Sequence, residues 1–168
     1  MSVRDAKPAD ASAIAEIHVA AWRAAYRGMI ADDYLASLSI EERTARWSKA
    51  ISAPGPAKVA VAHVKDEILG FCSFGPTRDA APPDIAELYS LNVHPDCWRR
   101  GAGRVLCEHA CQQAALRQHA AITLWVLKQN EGARRFYERV GYLPDGAEKT
   151  DMQTTGSPLH DVRYRKTI

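Results

Sequence analysis

The sequence is 168 residues long, 46% hydrophobic and 25% charged, which suits one globular domain over residues 1–168 and excludes a disordered or fibrous chain. A formal charge of +2 excludes the strong overall field that draws a chain to nucleic acid or to a membrane surface, so neither is an expected partner. No apolar run reaches the length of a membrane span, and the opening MSVRDAKPAD lacks the apolar centre of a secretory signal, so the expected location is cytoplasmic.

Taken in chain order, Val3–Ala6 reads as a first strand. Asp10 is a plausible N-cap for the helical pattern that follows, in which Ile14, Ile17, Ala21 and Ala25 recur at helical spacing and Gly28 is the stop. Ser39 with Glu42 has capping-box spacing, so a second helix is expected from Ile40 to about Ile51, ended by Ala53-Pro54-Gly55-Pro56. Residues 58–64 and 68–75 alternate as two hairpin strands about a turn at Asp66-Glu67. Arg78 to Asp84, with Pro82-Pro83, is a loop, and 85–93 is a third strand of this run.

Arg104–Gln118 reads as a helix with Leu106, Ala110 and Ala114 inward. Residues 121–127, AITLWVL, are apolar throughout and suit a central strand. Asn130–Val140 is a helix that Gly141 ends. LHDVRYRKTI closes the chain as a strand. The order is β-αα-βββ-α-β-α-ββ, an α/β domain on a mixed sheet.

The chain has four cysteines, Cys72, Cys97, Cys107 and Cys111, with no C-x-x-C spacing. Cys107 and Cys111 share one helix face while His109 points elsewhere, so a convergent metal site is not expected. Buried free thiols in a reducing compartment account for them.

The stretch HPDCWRRGAGRVLCEHA sets two glycines among three arginines just where a helix pattern begins. It does not match the phosphate loop G-x-x-x-x-G-K-[ST]. A dinucleotide fingerprint fails as well, because Leu106 stands where its third glycine belongs and the next strand ends without a ribose-binding acid. The physics still suits an anion. The first amides of a helix have no intrahelical partner, the helix dipole adds positive charge, and glycine lets a ligand approach the main chain. Arg99, Arg100 and Arg104 add to the local field; a solvated basic turn is the plainer alternative.

LNVHPDCWRRGAGRVL followed by LWVLKQNEGARRFYERVGY resembles the GNAT superfamily of N-acetyltransferases, in which Q/R-x-x-G-x-G/A after a strand ending in Val precedes N-x-x-A-x-x-F-Y-x-x-x-G-F/Y. VRDAKPADASAIAEIH and DVRYRKTI resemble the usual opening and closing segments, so the resemblance spans nearly the whole chain. Trp98 departs from it, standing where Gln or Arg is commoner. The resemblance implies splayed central parallel strands and acetyl-CoA as cosubstrate. Its diphosphate would lie on backbone amides of Trp98, Arg99, Arg100, Gly101, Ala102, Gly103 and Arg104. Its pantetheine would run along Leu91 to Val93 beside a bulge, with the Val93 amide facing the oxyanion. Asn130, a helix N-cap by its own pattern, would also touch the cosubstrate, and Tyr137 would protonate the departing thiolate. Phe136 reads as core.

An amine acceptor must be neutral to attack, so a base or a draining water chain is expected. Glu87 is the candidate base, since alternation puts Glu87, Tyr89 and Leu91 on one strand face. His18, Trp22 and Tyr26 form a second helical stripe beside Ile14, Ile17 and Ala21, which suits an acceptor pocket for a cationic or apolar amine. His160 is a further pocket candidate. The expected acceptor is a small-molecule amine, the alternatives being a peptide amine or an idle acyl-CoA-binding sensor. No metal is expected, and a homodimer is allowed.

Overall fold

The computed structural model describes residues 1–80 and 82–168; Ala81, within the loop expected between Arg78 and Asp84, lies outside the described residues. Strands β1 (Ser2–Asp5), β2 (Lys58–Val64), β3 (Glu67–Pro76), β4 (Ile85–Val93), β5 (Ala121–Leu127), β6 (Leu143–Asp151) and β7 (Leu159–Thr167) form one sheet in the order β1-β2-β3-β4-β5-β7-β6. The helices are α1 (Ala11–Ala25), α2 (Asp32–Ser37), α3 (Ile40–Ser52), α4 (Ala102–Leu116) and α5 (Glu131–Arg139).

Two cores sit on opposite faces, and strand alternation decides which residues feed each. On one face Ala60, Ala62, Cys72, Phe74, Ala86, Leu88, Ile122 and Leu124 meet Leu106, Ala110 and Ala114 of α4. On the other, Val61 and Phe71 meet Ile14 and Ile17 of α1, with Trp47 and Ile51 of α3 against them.

Several local signals act as expected. Ser39 accepts from the Glu42 amide (3.2 Å) and starts α3, a cap worth about 1 kcal/mol. Asn130 does the same for α5 through the Ala133 amide (3.0 Å), and Gly141 ends that region with a left-handed φ of 91°. Asp10 behaves differently. It precedes α1 but its side chain makes no cap; it accepts instead from the Lys7 amide (2.7 Å) and from Arg4 (2.7 and 3.0 Å). The Arg4 hydrogen bond, above all, holds the Asp10 carboxyl below its usual range. Asp10 therefore ties β1 to the helix start. The β2–β3 turn lies at Lys65–Asp66, one residue earlier than expected, with Lys65 at φ 52°.

Among the described strands only β4 and β5 run parallel, and they pair just at Ile85–Glu87 with Ala121–Thr123. Beyond that point β4 continues to Val93 and β5 to Leu127 without a ladder between them, so the centre of the sheet is splayed. A bulge assists: Phe74 faces Leu88 and Ser73 faces Ser90, which leaves Tyr89 extra. The bulge inverts parity. Leu91 faces Cys72 and joins the α4-side core with Val93, whereas Glu87 faces Gly75 on the other side. The expected shared face of Glu87, Tyr89 and Leu91 is thus corrected: Leu91 leaves it.

Candidate active site

The splay opens into a cleft of about 890 Å³. Its walls are Leu91 and Val93 of β4, the Cys97–Arg99 and Gly101–Arg104 segments, Asn130, the inner side of α5 including Phe136 and Tyr137, and Ala24, Ala25 and Met29 at the end of α1. This one cavity gathers most of the residues singled out in the sequence for an acyl carrier.

The start of α4 is where the backbone is bare. The first helical bond runs from the Val105 amide to the Gly101 carbonyl (3.2 Å), so the amides of Ala102, Gly103 and Arg104 precede the ladder. Among the described residues no side chain caps this helix, unlike α3 and α5. Gly101 takes φ 89° with nothing within 4 Å of the place a Cβ would occupy, which is room for a ligand against the main chain. Arg99 also takes a left-handed φ, 62°, a conformation non-glycine residues rarely adopt. Arg99 and Arg104 line the cleft; Arg100 is exposed outside it. Arg135 and Arg139 also line it, a cationic contribution that the sequence reading did not include. Their places on α5, four residues apart, are the signal that could have shown them.

Gly103 has a different reason to be glycine. A Cβ there would come within 3.0 Å of Phe136 Cζ. The residue lets α5 close on α4, so a larger side chain would strike this aromatic ring before any ligand. Phe136 in turn lies 5.3 Å from Tyr137, centroid to centroid.

The Val93 backbone faces the splay. The His94 amide donates to Leu69 on β3 (2.9 Å); neighbouring amides point to opposite sides of a strand, so the Val93 amide points toward the diverged β5 edge. Its carbonyl points the same way and accepts a hydrogen bond from Trp98 Nε1 (2.8 Å). Trp98, 44% exposed, thereby orients the Val93 peptide with its indole while its ring lines the cleft. Trp98→Phe removes one neutral hydrogen bond, so kcat/KM for the acyl donor should fall roughly fivefold. Steady-state kinetics at the wild-type value would place the indole outside the mechanism.

Tyr137 lies at the inner end of the cleft, 9% exposed. Among the described residues nothing takes up its hydroxyl. Burial pushes its pKa well above the ordinary tyrosine value, with lesser contributions from Cys107, Tyr26 and Cys72. The hydroxyl therefore stays protonated and is free to donate.

Glu87 is 1% exposed and lies outside the cleft. Its carboxylate accepts from the Arg78 amide (2.8 Å), from Arg78 Nε (3.2 Å) and from the Arg78 terminal nitrogen. Arg78 also covers the Tyr89 ring at 4.4 Å, and the Tyr89 hydroxyl donates to the Pro76 carbonyl (2.6 Å). Both Glu87 oxygens are thus committed to pinning the segment after β3, which corrects the expectation of an open base. Tyr89 serves the same anchor.

On the α1 face, Trp22, Tyr26, Tyr34 and Leu159 pack around Val19, Ile30, Leu35 and Leu38. Trp22 and Tyr26 meet edge to face at 4.9 Å. They border the end of α1 that lines the cleft without lining it themselves. His18 is turned into the core: its Nδ1 accepts from Trp47 Nε1 (3.1 Å), and burial, then Arg43 and Arg46, lower its pKa to about 3. His160 is exposed and bonds Thr150 (3.2 Å). Cys107 lies in the core, and Cys111 Sγ meets the Tyr142 hydroxyl at 3.7 Å.

A model of the acetyltransferase (GNAT) family matches residues 11–142. The chain is 33% identical over 163 residues to the uncharacterized N-acetyltransferase YuaI of Bacillus subtilis, covering 96% of this chain and 90% of that one. It is 30% identical over 171 residues to the probable N-acetyltransferase Rv2775 of Mycobacterium tuberculosis, covering 97% and 91%. In fold it is similar to the PaiA N-acetyltransferase of Thermoplasma acidophilum in complex with coenzyme A, with a TM-score of 0.80, 18% identity and coverage of 99% and 98%. It is also similar to YncA of Salmonella typhimurium with acetyl-CoA, with a TM-score of 0.72, 23% identity and coverage of 99% and 93%. By family match, by relatives along its length and by fold, the chain belongs to the GNAT family and is an N-acetyltransferase.

Proposed function

We propose that residues 1–168 act as one domain that moves an acetyl group from acetyl-CoA to the primary amine of a small molecule. One observation carries the reading: a single cleft brings together an uncapped helix start, an outward Val93 amide on an unpaired strand edge, and a protonated Tyr137 hydroxyl. The structural neighbours that hold CoA and acetyl-CoA support the choice of donor. The open space at Gly101 and the four arginines on the cleft wall suit its diphosphate. Bound acetyl-CoA supplies the acetyl group as an activated thioester.

The chain's own groups then have distinct tasks. The amides of Ala102, Gly103 and Arg104 hold the anion, and Asn130 fixes the start of α5 so that Tyr137 faces the cleft. The Val93 amide, held in place by the sheet and by Trp98, donates to the carbonyl oxygen as it gains charge. As the nitrogen–carbon bond forms and the carbon–sulfur bond breaks, the sulfur leaves with its electron pair and takes the Tyr137 proton. The acceptor ammonium gives one proton to solvent before its nitrogen attacks, and the second proton, shed by the nitrogen as the amide forms, restores Tyr137. The acceptor enters from the α1 face, where Trp22, Tyr26 and Tyr34 present aromatic walls suited to a small apolar body.

Thiol release from acetyl-CoA, measured across a panel of arylalkylamines, amino acid amides, polyamines and lysine peptides, tests this. Turnover is expected with small amines. Turnover confined to peptides would overturn the acceptor class, and tight CoA binding without turnover on any amine would overturn the activity.

A further inference from the structure

An alkylamine acceptor arrives as an ammonium and sheds a proton before it attacks, so a carboxylate could receive it first; Glu87 is committed to Arg78. The carboxylates around the open half of the sheet are mostly paired too. Asp79 accepts from Trp125 Nε1 (3.1 Å) and pairs with Arg163 (3.1 Å). Asp145 pairs with Arg163 (2.7 Å), Glu148 with Lys128 (3.0 Å), and Glu138 accepts from the Tyr164 hydroxyl (2.8 Å). Asp161 differs. It is partly buried on β7, and among the described residues its carboxylate has neither a hydrogen bond nor an ion pair.

Its place follows from register. Asp161 stands opposite Leu127, at the end of β5 where the splay is widest, and opposite Lys149 on β6. Val162 and Tyr164 face the α4-side core, so Leu159, Asp161 and Arg163 face the other way. Leu159 packs in the cluster with Trp22, Tyr26 and Tyr34, which sets Asp161 on the same face as those rings. Tyr26 feels the carboxylate: burial first, then Asp161, push its pKa up to about 12. Tyr26 in turn contributes to the upward shift of Tyr137.

The charged and titratable groups around Asp161 are engaged elsewhere. The Lys149 ammonium sits over the Trp125 ring at 4.2 Å. His160 bonds Thr150, and Asp151 is taken up by Thr154 and the Gln153 amide (2.7 Å). Burial raises the Asp161 pKa, with Asp151 adding to the rise and Lys149 and His160 opposing it. A partly desolvated carboxylate that no neighbouring cation pairs with directly, on the same face as an aromatic cluster, is a complementary site for an organic cation.

We propose that the Asp161 carboxylate binds the ammonium group of the acceptor, and that the acceptor is an amine joined to an apolar or aromatic body seated against Trp22, Tyr26 and Leu159. The inference rests on the acetyltransferase reading and names the acceptor class for it. Phenethylammonium and its neutral counterpart 2-phenylethanol are the probes, titrated into the CoA-saturated protein and its Asp161→Asn variant and followed by NMR at the Trp22 indole and Tyr26 ring. Wild type should show saturable shifts with the ammonium, at least tenfold weaker in Asp161→Asn, while the alcohol binds both proteins alike. The raised pKa gives a second readout. An Asp whose folded pKa lies above its unfolded value is destabilising when ionised, so the neutral isostere should raise Tm at pH 7, whereas a structural anchor would lose stability on the same change. Equal ammonium affinity in both proteins, no preference for ammonium over alcohol in wild type, a lower Tm, or no saturable shift up to about 50 mM overturns the proposal. Amine-dependent thiol release, measured separately, distinguishes the two failures: turnover that survives Asp161→Asn unchanged removes this site and leaves the acetyltransferase reading standing.

Discussion

Tyr137→Phe is expected to bind acetyl-CoA within about threefold of wild type while kcat falls roughly 10²-fold or more, the range for loss of a general acid. The ring is conserved by the substitution, so its contacts with Phe136 (5.3 Å), Tyr142 (5.9 Å) and Tyr164 (6.5 Å) persist. Only the hydroxyl is lost. The pH dependence follows in sign. Burial holds the Tyr137 pKa well above its ordinary value, so wild type keeps its acid as pH rises. A free thiol has a pKa of about 8.5, so above that value the thiolate departs with less help. The deficit of Tyr137→Phe should therefore be largest at neutral pH and shrink toward alkaline pH. Pre-steady-state kinetics, with chemistry resolved from product release, checks this. A variant with the wild-type chemical rate at neutral pH would reduce Tyr137 to a packing residue.

Gly103→Val should weaken acetyl-CoA binding by roughly tenfold, through a displaced cleft wall, and should lower stability by about 1–3 kcal/mol, the usual cost of overpacking. Its Cβ would meet Phe136 Cζ at 3.0 Å, so either the ring swings into the cleft or α5 draws back from α4. Either movement disturbs the amides at the start of α4 and the neighbouring Tyr137. Adding Phe136→Ala should restore part of the affinity by making room. Arg100→Ala is the contrast. Arg100 is exposed and lies outside the cleft wall, so its removal should change affinity by about twofold at 0.15 M salt, where its field is screened. Calorimetry on variants shown to be folded by circular dichroism measures all three. A greater loss at Arg100 than at Gly103 would mean that side-chain charge outranks backbone geometry.

What could be read in advance divides along a physical line. Signals carried by near neighbours were legible: the Ser39 and Asn130 caps, the limits of β2, β4 and β5, and the bare backbone around Gly101. Features that need a partner from elsewhere in the chain were not. The bulge at Tyr89 depends on how β4 registers against β3, so parity alone put Leu91 on the wrong face. Glu87 looked open until Arg78, nine residues earlier, took both of its oxygens. Trp98 departs from the motif because its indole reaches back to Val93. Gly103 is glycine because Phe136 arrives from α5. Helix α2 was missed because six residues with one buried side chain, Leu35, carry no periodic signal. Asp10 sits where a cap for α1 belongs, yet Arg4, six residues earlier, holds its side chain.

Amide NMR spectra recorded as CoA is added test the assignment of the cleft most directly. The amides of Ala102, Gly103 and Arg104 precede the α4 ladder, and that of Val93 faces the splay. The account predicts that these four, with Gly101, show the largest saturable shifts, while the amides of β1 and β6 at the far edges of the sheet stay in place. Saturable shifts concentrated away from β4 and the α4 start, with these amides unmoved, would contradict it.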